Sequence, residues 1–180
     1  MSSGNPLDES ALYLRPAESG QGDAWSQATA RQGRVGSQQL LHAGEVSAPP
    51  RVAASLGLDP GSAVVVRRRL VLLDGAPAEL TDSYFPLTVA SGTALAYPRK
   101  IKGGAVSLLA NLGYVARSSR EDVTARPPSP DEASALAIHP GEWVLDVYRV
   151  VVDARGEPFE VTTMTMPARE RTLHYTVEIG

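Results

Sequence analysis

The hydrophobic pattern divides the chain at about residue 38. Residues 1–37 are rich in Gly, Ser, Gln and Asp and hold no sustained period of 3.6 or 2, the signature of a linker or flexible segment. Within it "DAWSQATARQG" is either a short helix anchored by Trp25 or a tethered loop. From Leu40 onward apolar positions become periodic. Runs at about 63–73 and 142–153 are apolar on successive as well as alternate positions, as expected of strands covered on both faces. In "GGAVSLLANLGY" the residues Ala105, Leu108, Leu109 and Leu112 recur at helical spacing, and Gly113 supplies the stop. Further strands are expected at about 38–46, 114–125 and 172–178.

The pattern also repeats. "APPRVAASLGLDPGSAVVVRRRLVLLDGAPAELTDSYFP" aligns with "SPDEASALAIHPGEWVLDVYRVVVDARGEPFEVTTMTMP": Pro60 and Gly61 match Pro140 and Gly141, Arg69 matches Arg149, and, after a one-residue insertion, Gly75, Glu79 and Pro86 match Gly156, Glu160 and Pro167. The chain therefore duplicates a helix, strand, hairpin, strand unit. In the second unit Ser129 is the N-cap, Pro130 the first helical residue and Glu132 the partner of a capping box. In the first, Pro49 or Pro50 opens the helix and Gly57 ends it. The expected fold is α+β: a mostly antiparallel sheet of six or seven strands with three helices.

Three arginines, Arg67, Arg68 and Arg69, interrupt the most apolar strand. Alternation puts Arg67 and Arg69 on one face and Arg68 on the other. If "LDG" closes the hairpin as a three-residue loop, Arg69 lies opposite Glu79 and Arg67 opposite Thr81, and the repeat sets Arg149 opposite Glu160. A two-residue turn would instead bring Arg67 to Asp82. A cross-strand carboxylate makes a buried guanidinium tolerable. Two forks facing one glutamate leave donors for a carboxylate or phosphate on a small ligand. The loop "AYPRKIKGG" adds Lys100 and Lys102, with the amides of Gly103 and Gly104 opening the central helix, as a second place for an anion.

Composition narrows the function. Charged residues make up 21% of the chain, the formal net charge is −3, and no basic stripe is present, so this segment lacks the electrostatic footprint of nucleic-acid binding. With no cysteine, thiol catalysis, disulfides and zinc thiolate sites are excluded. No apolar run reaches the length of a membrane span. His42, His139 and His174 have no metal spacing, and neither a nucleophile elbow nor a phosphate-binding glycine loop occurs. No cofactor is expected.

The order of these segments, with "LLANLGY" between the two units, resembles the UTRA domain, the effector-binding half of GntR-type regulators of the HutC subfamily. The resemblance covers about residues 38–180, leaving 1–37 as the linker. It implies a chorismate-lyase-like fold, a homodimer in the cytoplasm and a small, anionic effector. DNA would be read by a winged helix, for which residues 1–37 are too short and too polar. The chain is then either the effector half alone or a regulator that has lost its reader. Carried over from the family, the ligand positions are Arg67, Arg69 and Glu79, with Thr163 or Thr165 on the late strand. Thr81, Arg149 and Glu160 complete the candidate set from the hairpin geometry. "SGTALAYPRKIKGG" departs from the sugar-phosphate binders of the family. Two other functions suit the same fold: a small lyase-like enzyme, with the arginines holding carboxylates and Glu79 or Glu160 as acid, and an interaction module that forms mixed dimers with full-length regulators.

Overall fold

The computed structural model describes residue 14, residues 24–169 and residues 171–173. Its elements run α1 (Ala24–Ala30), β1 (Gly36–Ser47), α2 (Pro50–Ser55), β2 (Ala63–Leu73), β3 (Ala76–Pro86), α3 (Leu87–Ala90), a 3-10 turn (Ala94–Ala96), α4 (Gly104–Asn111), β4 (Ser118–Arg126), α5 (Pro130–Ala135), β5 (Val144–Val152) and β6 (Pro158–Pro167). The strands form one six-stranded antiparallel sheet in the order β1-β2-β3-β6-β5-β4. That order reads the same from either edge by repeat unit. At its centre Asp82 faces Thr163, which occupy equivalent positions of the two units, so an approximate two-fold relation passes between β3 and β6.

Strand alternation sends Val64 and Val66 to one face, where α2 buries Val52, Ala53 and Leu56 against Tyr84, Tyr148, Val150 and Val161. Val65, Phe85, Val151 and Phe159 take the other face beneath Val89, Leu95 and Leu109. Each fully buried side chain of this kind contributes about 1.5–3 kcal/mol, and the two layers hold the sheet from both sides. The α5 capping box forms as expected, Ser129 accepting from the Glu132 amide and Glu132 from the Ser129 amide.

Several expectations change. The segment around Trp25 is a helix, and Trp25 is buried against Val71, Leu73 and Ala78 with its indole N–H donating to the Leu72 carbonyl at 3.0 Å. Among the described residues there are five α-helices where three are expected: α2 and α5 are announced by proline at their first turn, whereas α1 and the four-residue α3 carry no such start signal. The β2–β3 turn has two residues, Asp74 and Gly75, with φ of 52° and 82°, a mirror-image turn that matches strand twist. The expected strand at 172–178 is not seen at Thr172 and Leu173, and residues 174–178 lie outside the described residues.

Candidate functional site

One correction governs the site. A bulge between Val71 and Leu72 leaves Ala78 as the extra residue of β3, and beyond it Arg69 faces Thr81, Arg67 faces Ser83, and Val71 faces Glu79. The same irregularity recurs between Val151 and Val152, with Phe159 extra, so that Arg149 faces Thr162 and Val151 faces Glu160. Neither expected Arg–Glu pair forms directly across its hairpin, and the alternative of Arg67 opposite Asp82 fails too. Relative to the expected register the pairing is displaced by two residues in each hairpin, and a displacement of two keeps every side chain on its face. Arg67, Arg69, Glu79, Thr81, Arg149 and Glu160 therefore still share one face, and all of them line a single cavity of about 250 Å³.

Two rungs of side chains cross its floor. The first runs Arg67, Ser83, Thr162, Arg149 and Glu121 from β2 to β4. The second runs Leu40, Arg69, Thr81, Met164 and Val147 from β1 to β5. The two units place matching groups here. Thr81 donates to Glu79 Oε1, and Thr162 donates to Glu160 Oε1 at 2.9 Å. Burial pushes the Glu79 carboxyl above its ordinary value, against the Thr81 hydrogen bond and the cations of Arg171, Arg149 and Arg69.

The two equivalent arginines are neutralised differently. Arg149 donates from Nε to Glu121 Oε1 at 2.6 Å, with side-chain exposures of 8% and 7%. At the position that Glu121 holds beside Arg149, Arg69 has Leu40. Arg69 Nη2 donates to Ser83 Oγ at 2.9 Å, Nη1 reaches Gln38 Oε1 at 3.4 Å, and its buried Nε has no acceptor among the described residues. The cavity thus holds a cation with a donor in reserve.

Arg67 differs from expectation. Its Nη1 donates to the carbonyls of Ala94, Leu95 and Tyr97 at 3.3, 2.9 and 2.9 Å, and Nη2 to that of Arg99 at 2.9 Å. The guanidinium staples the segment that leads into α4. Burial, and secondarily the cation of Arg69, push its pKa down to about 10. Arg68 lies on the opposite face, gripping Asp82 through Nε and Nη2.

Lys100, Gly103 and Gly104 line the cavity, with the Gly104 amide donating to the Ile101 carbonyl at 3.0 Å, whereas Lys102 is exposed and does not line it. Thr163 and Thr165 also miss it. The parity of β6 sends Glu160, Thr162, Met164 and Met166 inward, while Thr165 bonds Asp146 Oδ1 at 3.2 Å on the far face. Thr162 is the inward threonine, and the match of "ELT" with "EVT" in the repeat could have found it. Glu121 was missed because β4 stands outside the aligned units. Ser83 was hidden by the bulge. Among the described residues no group of His, Asp and Glu could hold a metal ion, and no helix is long and apolar enough to cross a membrane.

Comparison with known proteins agrees with this architecture. The profile of the UTRA domain matches residues 31–170, and the chain belongs to the UTRA domain family. An uncharacterized HTH-type transcriptional regulator of Streptomyces coelicolor is 32% identical over 126 residues, covering 68% of this chain and 47% of that protein. One of Rhizobium meliloti is 31% identical over 140 residues, covering 76% and 55%. The chain spans about half the length of the curated relatives it matches. The crystal structure of the effector domain of PhnF from Mycobacterium smegmatis superposes with a TM-score of 0.75 at 17% identity, covering 86% of this chain and 94% of that one. The fold is the open antiparallel sheet of this family.

Proposed function

We propose that this domain is the effector-sensing part of a GntR-type transcriptional regulator of the HutC subfamily, and that it binds a small organic anion in the cavity. The observation that carries the reading is the contrast between Arg149, closed by Glu121, and Arg69, whose buried Nε has no acceptor. A buried guanidinium donor without a partner is costly, and an anionic ligand supplies what Glu121 supplies to its counterpart. Lys100 and Gly103 line the cavity where α4 begins, and the start of that helix favours negative charge.

Such a domain works in the cytoplasm as one half of a homodimer, and DNA is contacted by a winged-helix domain rather than by this one. Ligand state reaches the rest of the protein through Arg67, which ties the cavity floor to the segment preceding α4. The names of the relatives as regulators support sensing over catalysis. The test is thermal denaturation of the wild type and Arg69→Gln against a panel of carboxylates and phosphates, with mass spectrometry of each recovered compound. The reading expects stabilisation by an unaltered anion that Arg69→Gln removes. Turnover of the compound, or no Arg69-dependent stabilisation by any anion, contradicts it.

A further inference from the structure

The cavity sorts its chemistry along the second rung. From β1 the rung begins with Leu40, Arg69 with its unused Nε comes next, Thr81 follows, and Met164 and Val147 close the other end. Val147, Met164 and Met166 form an apolar cluster against which Leu145 and Leu173 pack. Methionine is a soft, adaptable lining for apolar groups.

Most of the other polar groups in the floor already bond one another. Thr81 donates to Glu79, Thr162 to Glu160, Ser83 meets Thr162 at 3.1 Å, Arg149 holds Glu121, and Arg67 is bound to backbone carbonyls. A polyhydroxylated ligand would have to break these pairs and replace them, leaving buried partners unsatisfied wherever it failed. An apolar body leaves them intact.

We infer that the effector is an amphipathic organic acid, its carboxylate on Arg69 and its apolar body lying across Thr81 onto Met164, Met166 and Val147. Strands lie about 4.8 Å apart, so the Arg69 and Met164 backbones are separated by about 10 Å. That span suits one ring or a chain of about six carbons, and the cavity of about 250 Å³ is below the range of about 300–1,000 Å³ that takes drug-sized molecules. This inference rests on the reading of the cavity as an anion-binding effector site.

The experiment is calorimetric titration of the wild type, Arg69→Gln and Met164→Gln with butyrate, hexanoate, octanoate, gluconate and glucose 6-phosphate, each variant being checked for folding by its unliganded melt. Affinity should rise about fourfold per methylene from butyrate to hexanoate, level off by octanoate, and exceed that for gluconate and glucose 6-phosphate. Met164→Gln should flatten that rise and Arg69→Gln should weaken every acid. If Met164→Gln fails to fold, Val147→Thr replaces it. Tighter, Arg69-dependent binding of gluconate or glucose 6-phosphate than of hexanoate would overturn this ligand class while leaving the anion site standing. Absence of Arg69-dependent binding by all five would overturn both.

Discussion

Arg149 and Glu121 form a buried ion pair across β5 and β4, Nε to Oε1 at 2.6 Å, and the equivalent arginine of the other unit, Arg69, faces Leu40 instead. Removing one member of a buried pair strands the other charge. Glu121→Ala is therefore expected to cost about 3 kcal/mol, measured by urea denaturation, whereas Glu160→Ala, which breaks only a threonine hydrogen bond, should cost about 1 kcal/mol.

Arg67 should behave as a staple. Replacement by lysine keeps the charge but not the planar fork that reaches four carbonyls, from Ala94 to Arg99. Arg67→Lys should lower stability by about 2–3 kcal/mol and accelerate amide exchange in residues 94–101, leaving the α2 face protected. Hydrogen exchange followed by mass spectrometry reads both regions, and unchanged exchange in 94–101 would remove the staple.

The pH dependence has two opposing sources. The Arg126 fork, with help from the Ser129 amide, holds the Glu132 carboxyl at about 2 against an ordinary value of 4.5. The folded state thus binds this proton less readily than the unfolded chain, so its contribution is present above pH 4.5 and is lost as pH falls through about 2. Glu79 has the reverse sign. Burial raises its pKa above 4.5, so its contribution is complete below that pH and is lost as pH rises through the folded value. Urea titrations should show Glu132→Gln flattening the acid limb. Glu79→Gln should gain stability over the wild type increasingly from pH 4 to pH 8, and a constant difference would contradict the raised value.

Much of this was legible in the sequence. The duplicated unit gave two hairpins, the cavity face followed from alternation, and the Ser129 cap stands where its spacing puts it. The pairings were not legible, because a bulge adds one residue without leaving a motif: Ala78 and Phe159 are ordinary strand residues. Since both units carry the same bulge, the repeat repeated the error instead of exposing it. Thr163 and Thr165 stand on the face of β6 away from the cavity, because alternation sends Thr162 and Met164 inward. Glu121 had to await the fold, since its partnership with Arg149 joins segments 28 residues apart.

The α1 helix seals one side of the cavity, and its seat depends on Gly36. A β-carbon there would lie 2.5 Å from Thr29 Oγ1 and 2.6 Å from Trp25 Nε1. Gly36→Ala should displace α1 at a cost of about 1–3 kcal/mol. The Trp25 emission should shift to the red as the ring leaves its buried site, and an unmoved spectrum at full stability would show that the contact yields.

The anion-binding role of Arg69 is tested most directly at the atom that carries it. In a 15N-labelled sample the Nε–H resonances of Arg69 and Arg149, assigned by Arg69→Gln and Arg149→Lys, are followed during titration with hexanoate and, separately, glucose 6-phosphate. The account predicts a saturable downfield shift of the Arg69 Nε–H while that of Arg149, already bound to Glu121, stays within its line width. Saturable binding that moves Arg149 and leaves Arg69 still would contradict it.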